Sequence, residues 1–168
     1  MRRMDALSPA DDPRILRPEP GAGPLAAVRP DWVDFYGHMN MGFYLVVFDM
    51  VTDNLWPHLG LGPEFKDRGL GTFAAETWVN YVREVTEGMP LACTSEVLAH
   101  DGKRLLARHE LIHATEGWVA AENEVLYLCV DMEVRRVTTW PEDVQAIFAG
   151  RATGRPAKRL ALRRRDQG

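Results

Sequence analysis

Residues 32–44 read WVDFYGHMNMGFY, with Asp34, His38 and Asn40 set among glycines and aromatic rings. A carboxylate at Asp34 could take a proton from water or attack an electrophile itself, and His38 could orient water, donate a hydrogen bond or carry a proton. If a helix starts at Asn40, its first N–H groups lack internal partners and carry partial positive charge, so an oxyanion such as a thioester carbonyl under attack would be stabilised there. Gly37 and Gly42 would let a ligand come close. The same acid and histidine would serve equally well as caps for the helix start, and residue types alone leave both readings open.

The elements that must position these groups follow from periodicity. Tyr44, Val47, Phe48, Val51 and Leu55 recur at three- and four-residue spacing, which predicts a helix over 40–56 with Asn40 as N-cap and Pro57 and Gly60 as the stop. Asp49, Asp53 and Asn54 are the main exceptions to its apolar character, so the helix should be largely buried. Residues 25–30 suit a short first strand, and 72–85, 90–100, 103–114 and 118–132 suit longer ones separated by TEGM, DG and TEG. Asp101-Gly102 suits a two-residue primed turn and predicts a hairpin. A further strand over 133–140 should precede a small helix opened by Pro141. This order predicts an α+β fold, a long antiparallel sheet wrapped around one central buried helix. An open edge strand and an incompletely covered helix point to a homodimer, or a dimer of dimers.

The domain should span 25–150. Residues 1–24, with five prolines, read as an irregular arm, and 151–168 as a basic C-terminal tail. The net charge is −4, but residues 158–168 carry five basic residues against one acid, so residues 1–157 carry −8. Basic residues confined to a terminus read as a solvated tail and argue against nucleic acid as a partner. No apolar run would span a bilayer and no secretory leader is evident, so a cytoplasmic protein without a membrane partner is expected. Cys93 and Cys129 sit in apolar strand runs and read as reduced core residues. His109 and His113 lie four apart in a strand, roughly thirteen ångströms along it, too far to share an ion, so no metal is expected.

Residues 30–48 (PDWVDFYGHMNMGFYLVVF), followed by a long helix and by ETWVNYVREVTEGMPL, resemble the hotdog-fold acyl-CoA thioesterases, which share an acid, then G-H-[MV]-N, then an aromatic-rich helix. More narrowly, WVDFYGHMN with FAAETWVNYVREV and AHDGKRL looks like the betainyl-CoA thioesterases of carnitine breakdown. The resemblance covers roughly residues 27–132. It implies a hotdog fold and hydrolysis of a short acyl-CoA thioester, betainyl-CoA by the narrower resemblance, with coenzyme A as part of the substrate and no cofactor. It assigns the catalytic carboxylate to Asp34 and the helix-start roles to His38 and Asn40. It also implies active sites at a dimer interface, completed from the long strands, where Glu76 is the candidate second carboxylate. Relatives that act on acyl-carrier proteins have an asparagine two residues after the acid; here that position is Tyr36.

Aromatic faces attract quaternary ammonium groups, so Trp32, Phe35, Tyr36, Phe43 and Trp78, with Gly37 and Met39, are the candidate acyl-binding residues. Trp56, Phe73 and Tyr81 are further rings that could face the site, whereas Phe48, Trp118 and Trp140 read as packing. Arg83, Lys103, Arg104 and Arg108 are the candidate partners for the coenzyme A phosphates. Two alternatives remain open at this stage. One is a hotdog hydratase or dehydratase using His38 and Glu76 as its acid–base pair; the other is a non-catalytic protein that binds a quaternary ammonium ligand.

Overall fold

The structure is a computed structural model that describes residues 8–163; the expectations for residues 1–7 and 164–168, the outer ends of the arm and the basic tail, lie outside the described residues. A short strand β1 (Ala26–Ala27) leads to the helix α1 (Met41–Leu55). Asn40 caps α1 by accepting the Gly42 N–H at 3.0 Å. A 3-10 turn over Trp56–Leu59 extends the helix and ends at Gly60, whose φ of 69° supplies the left-handed stop. After a short helix α2 (Pro63–Asp67) come the long strands β2 (Leu70–Tyr81), β3 (Pro90–His100), β4 (Arg104–His113) and β5 (Val119–Asp131). The two-residue β6 (Arg136–Val137) and the helix α3 (Glu142–Arg151) follow.

All strand pairs are antiparallel, in the order β1-β3-β4-β5-β2, with β6 attached to β5. Helix α1 covers one face of this sheet. Its Tyr44, Val47, Phe48 and Val51 pack with Trp32, Met39, Leu91 and Leu111, while Leu55 joins a second cluster built with Leu105, Tyr127, Trp140 and Phe148. Burying one such side chain contributes about 1.5–3 kcal/mol, so this face holds the fold together.

The incomplete cover expected for helix α1 falls on Met41, Leu45 and Val46, which are exposed along one side. Three expectations need correction. The β3–β4 turn is centred on Gly102-Lys103 rather than Asp101-Gly102. The Asp101 N–H donates to the Arg104 carbonyl at 3.0 Å, its carboxylate accepts the Lys103 and Arg104 N–H groups, and Gly102 lacks the positive φ of a primed turn. The strand expected over 133–140 shrinks to β6, because the Asp131 side chain accepts the Glu133 and Val134 N–H groups and turns the chain, with Arg135 at φ 55°.

Residues 152–163, the third, are a docked strap rather than a solvated tail. Leu160 and Leu162 pack on Leu98, Leu106 and Leu126, on the sheet face opposite α1. Glu124, fully buried, accepts the backbone N–H groups of Lys158, Arg159 and Leu160 and is paired with Arg108 at 2.8 Å. Burial alone would raise the Glu124 pKa, but these backbone donors and the Arg108 guanidinium outweigh it and hold the carboxyl below its usual range.

Candidate active site

The turn before α1 is closed by its own backbone. Val33 and Met39 form an isolated antiparallel bridge, the Asp34 N–H donates to the His38 carbonyl at 3.1 Å, and the Gly37 N–H donates back to the Asp34 carbonyl at 3.0 Å. Gly37 has φ 89°, a conformation costly for any residue with a Cβ. Two longer-range bonds fix the turn to the fold: Met39 N–H to the Val85 carbonyl at 2.8 Å and Asn40 N–H to the Trp32 carbonyl at 2.9 Å.

This frame sets the polar groups. Asp34 Oδ1 accepts the Tyr36 N–H at 2.9 Å and lies 3.9 Å from His38 Nδ1. Among the described residues Asp34 Oδ2 has no donor. His38 Nε2 lies 3.6 Å from Glu84, a neighbour that the sequence reading did not single out. Asn40 takes the Gly42 N–H with its side chain and the Phe43 N–H with its carbonyl. The Met41 N–H has no acceptor among the described residues and opens at the helix start, where the backbone dipoles favour negative charge. The Tyr81 hydroxyl donates to the Met41 carbonyl at 3.3 Å, which ties the end of β2 to this turn.

The rings divide into two sets. Phe35 and Tyr36 are 90% and 72% exposed, with centroids 4.2 Å apart, and Tyr36 also lies parallel to the His38 ring. Trp32 and Met39, expected to touch substrate, are instead buried in the core, where Trp32 stacks on Phe43 at 5.5 Å. Trp56 packs edge-on to Tyr127 at the far end of α1. Phe48 and Trp140 are core, as their spacing implies.

The remaining candidates stand elsewhere in the protomer. A bulge at Ala75 shifts the β2–β5 register between Ala74 and Glu76. Ala74 pairs with Tyr127, which faces α1, whereas Glu76 pairs with Leu126, which faces the strap. Simple alternation would have kept both on one side; the bulge turns Glu76 and Trp78 away from the helix. Glu76 therefore lines a cavity of about 950 Å³ that also includes Lys103 and Arg104. Arg108 is not at the hairpin surface but buried against Glu124. Arg83 lies over the Trp118 ring at 4.0 Å. Cys93 and Cys129 are buried and unpaired with each other, and burial pushes their thiols up to about 12 and about 11.

The sequence pattern of the Thioesterase-like superfamily matches residues 28–148, which include the whole of this turn, α1 and the sheet from β2 to β6. The chain belongs to that superfamily. It is 36% identical over 120 residues to the betainyl-CoA thioesterase of Pseudomonas aeruginosa, a match covering 71% of this chain and 76% of that protein. It is 33% identical over 116 residues to the L-carnitine dehydrogenase/betainyl-CoA thioesterase of Agrobacterium fabrum, covering 69% of this chain and 24% of that longer protein. Among solved structures, a candidate thioesterase of Pseudomonas putida KT2440 is 28% identical, with a TM-score of 0.65 over 85% of this chain and 94% of that one. A Staphylococcus aureus protein solved with CoA shares the fold at a TM-score of 0.69 and 24% identity, over 82% of this chain and 87% of that one. The fold is the hotdog, with α1 as the filling of a curled antiparallel sheet, and its chemistry is thioester hydrolysis.

No helix among the described residues is long and apolar enough to cross a membrane. Among those residues no group of three or more His, Cys, Asp or Glu is placed to hold a metal ion.

Proposed function

We propose that the chain hydrolyses betainyl-CoA to betaine and coenzyme A, using water activated by Asp34. The carrying observation is the pairing of a partly shielded Asp34 carboxylate and the Met41 N–H at the start of α1, with Oδ2 and that N–H both unclaimed among the described residues. In this reading Oδ2 takes a proton as the water oxygen bonds to the thioester carbon. The carbonyl oxygen becomes an oxyanion and is held at the Met41 N–H by a preorganised donor and the helix dipole. The C–S bond then breaks, and the thiolate leaves and is protonated by the Asp34 carboxylic acid or through His38.

The substrate class rests on the rings and the relatives together. Phe35 and Tyr36 present open aromatic faces beside Asp34, which suits a trimethylammonium group without a buried counter-charge. Both relatives named above carry betainyl-CoA thioesterase in their descriptions. The domain over 25–150 carries this chemistry, and no cofactor or metal enters it. Two unpaired cysteines suit a reducing, cytoplasmic setting.

The working unit in this reading is a homodimer joined along β2. That strand is one edge of the sheet, and Met41, Leu45 and Val46 stand exposed on the helix that its Tyr81 contacts. Antiparallel pairing of two β2 edges would bring the helix start of one protomer beside the β3–β4 turn of the other. Measuring thiol release from a panel of acyl-CoAs tests the reading. Turnover of betainyl-CoA ahead of acetyl- and butyryl-CoA supports it, and a dimer that releases no thiol from any of them contradicts it.

A further inference from the structure

The strap over 152–163 lies wholly outside the residues that match the superfamily pattern, which end at 148. It is nevertheless held firmly. The Thr153 N–H donates to the Val97 carbonyl at 2.9 Å, Arg155 pairs with Glu96 at 2.9 Å, and the buried Glu124 gathers three successive strap N–H groups. Leu160 and Leu162 then fasten it to the sheet. Such an anchor fixes the direction of Arg159, which lies within it, and of Arg163, which directly follows Leu162.

Both arginines line the cavity of about 950 Å³ described above, opposite Lys103 and Arg104 of the β3–β4 turn. Leu126, Leu128, Val137 and Leu160 give the cavity an apolar floor. Four cations thus face two carboxylates, and one of these, Asp101, is already taken by Arg104 at 2.6 Å. Arg104 also donates to the Arg163 carbonyl and so joins the turn to the strap. Among the described residues Lys103, Arg159 and Arg163 have no carboxylate within 4 Å. Three cations without a carboxylate partner among the described residues, set over an apolar floor, suit a ligand that is polyanionic at one end and flat and apolar at the other.

We infer that the strap is one wall of the site for the phosphorylated adenosine half of the thioester substrate, with Arg159 and Arg163 holding its phosphates together with Lys103. The adenine lies on the leucine floor, Glu76 accepts from a ribose hydroxyl, and Arg104 acts as a positioning residue that keeps turn and strap together. This rests on the thioesterase reading for the identity of the ligand. It adds to that reading a recognition element that the superfamily pattern lacks.

The test compares the full-length protein with an Arg159→Ala/Arg163→Ala variant, using two kinds of probe. Adenosine 3′,5′-bisphosphate, titrated calorimetrically, reports the wall without any turnover; the variant should bind it at least about ten-fold more weakly, and raising the salt should shrink the gap. In turnover, KM for betainyl-CoA should rise at least about ten-fold with kcat unchanged, while betainyl-pantetheine, which lacks the nucleotide, should show no difference between the two proteins. Equal bisphosphate affinity and equal KM for the two proteins would overturn the inference. So would an equal rise in KM for the pantetheine substrate, which would mean that the variant had disturbed the fold. If no thioester is hydrolysed but bisphosphate binding still depends on the two arginines, the function proposed above fails and the strap site stands.

Discussion

Asp34 Oδ1 and His38 Nδ1 stand 3.9 Å apart across the turn that opens α1, and the other nitrogen of the same ring lies 3.6 Å from Glu84. At these distances His38 is not locked to either carboxylate. It is placed between them, free to pass a proton or to orient water beside Asp34. Replacing His38 with Gln keeps the size and hydrogen-bonding capacity but removes the proton carrier, so kcat should fall about a hundred-fold with little change in KM. Steady-state kinetics check this, and an unaltered kcat would reduce the ring to a cap.

Tyr36 stands where acyl-carrier-protein relatives keep an asparagine, and its backbone N–H already serves Asp34. Its ring is therefore available for the acyl group. Tyr36→Ala preserves that N–H and removes the aromatic face, so KM for betainyl-CoA should rise about three- to thirty-fold, with acetyl-CoA turnover unaffected. A parallel loss for both substrates would assign the ring to packing against Phe35 and His38.

Glu124 is fully buried and holds Arg108 and three strap N–H groups. Glu124→Gln would leave the buried Arg108 guanidinium uncompensated, at a cost of about 3–5 kcal/mol in urea unfolding. Arg108→Met made with it should recover part of that loss, because an apolar side chain leaves no buried charge. The folded-state pKa of Glu124 is depressed, so its stabilisation is complete above the unfolded value of about 4.5 and drains away as pH falls through the lower folded value.

His109 sits between Ser95, whose hydroxyl meets its Nδ1 at 2.7 Å, and the Phe48 ring, and burial pushes its pKa down to about 4. The unfolded chain takes up a proton near pH 6.5 that the folded protein refuses until about pH 4. Stability should therefore fall by about 3 kcal/mol as pH drops across that window, and His109→Gln should flatten the slope there. Urea midpoints between pH 7 and 4 read this out. Equal slopes for the two proteins would show that the imidazole is charged in the fold.

Much of this was legible in the sequence because it rests on local rules. The three- and four-residue spacing from Tyr44 to Leu55 and the cap at Asn40 give α1, and the apolar runs separated by turn residues give the strands. The G-H-M-N element locates the helix start and its acid. What escaped depends on contacts between distant segments. The bulge at Ala75 reverses the side of Glu76, and an alternation rule has no term for an extra residue. Arg108 reads as a surface cation until Glu124, sixteen residues on, is seen to bury it. The basic tail resembles a solvated end, yet Leu160 and Leu162 at alternate positions were the available sign that part of it lies on a sheet. Trp32 and Met39 share the motif of Asp34, but the turn sends them inward while Phe35 and Tyr36 point out.

The central claim is that Asp34 activates water against a betainyl thioester, and Asp34→Asn tests it most directly. Asparagine keeps an oxygen for the Tyr36 N–H and so preserves the turn, but it cannot take a proton. With betainyl-CoA and a thiol-reactive dye, the wild-type chain should release coenzyme A, and the variant should do so at least about a thousand-fold more slowly with an unchanged unfolding midpoint. A variant that releases thiol at the wild-type rate would contradict the account.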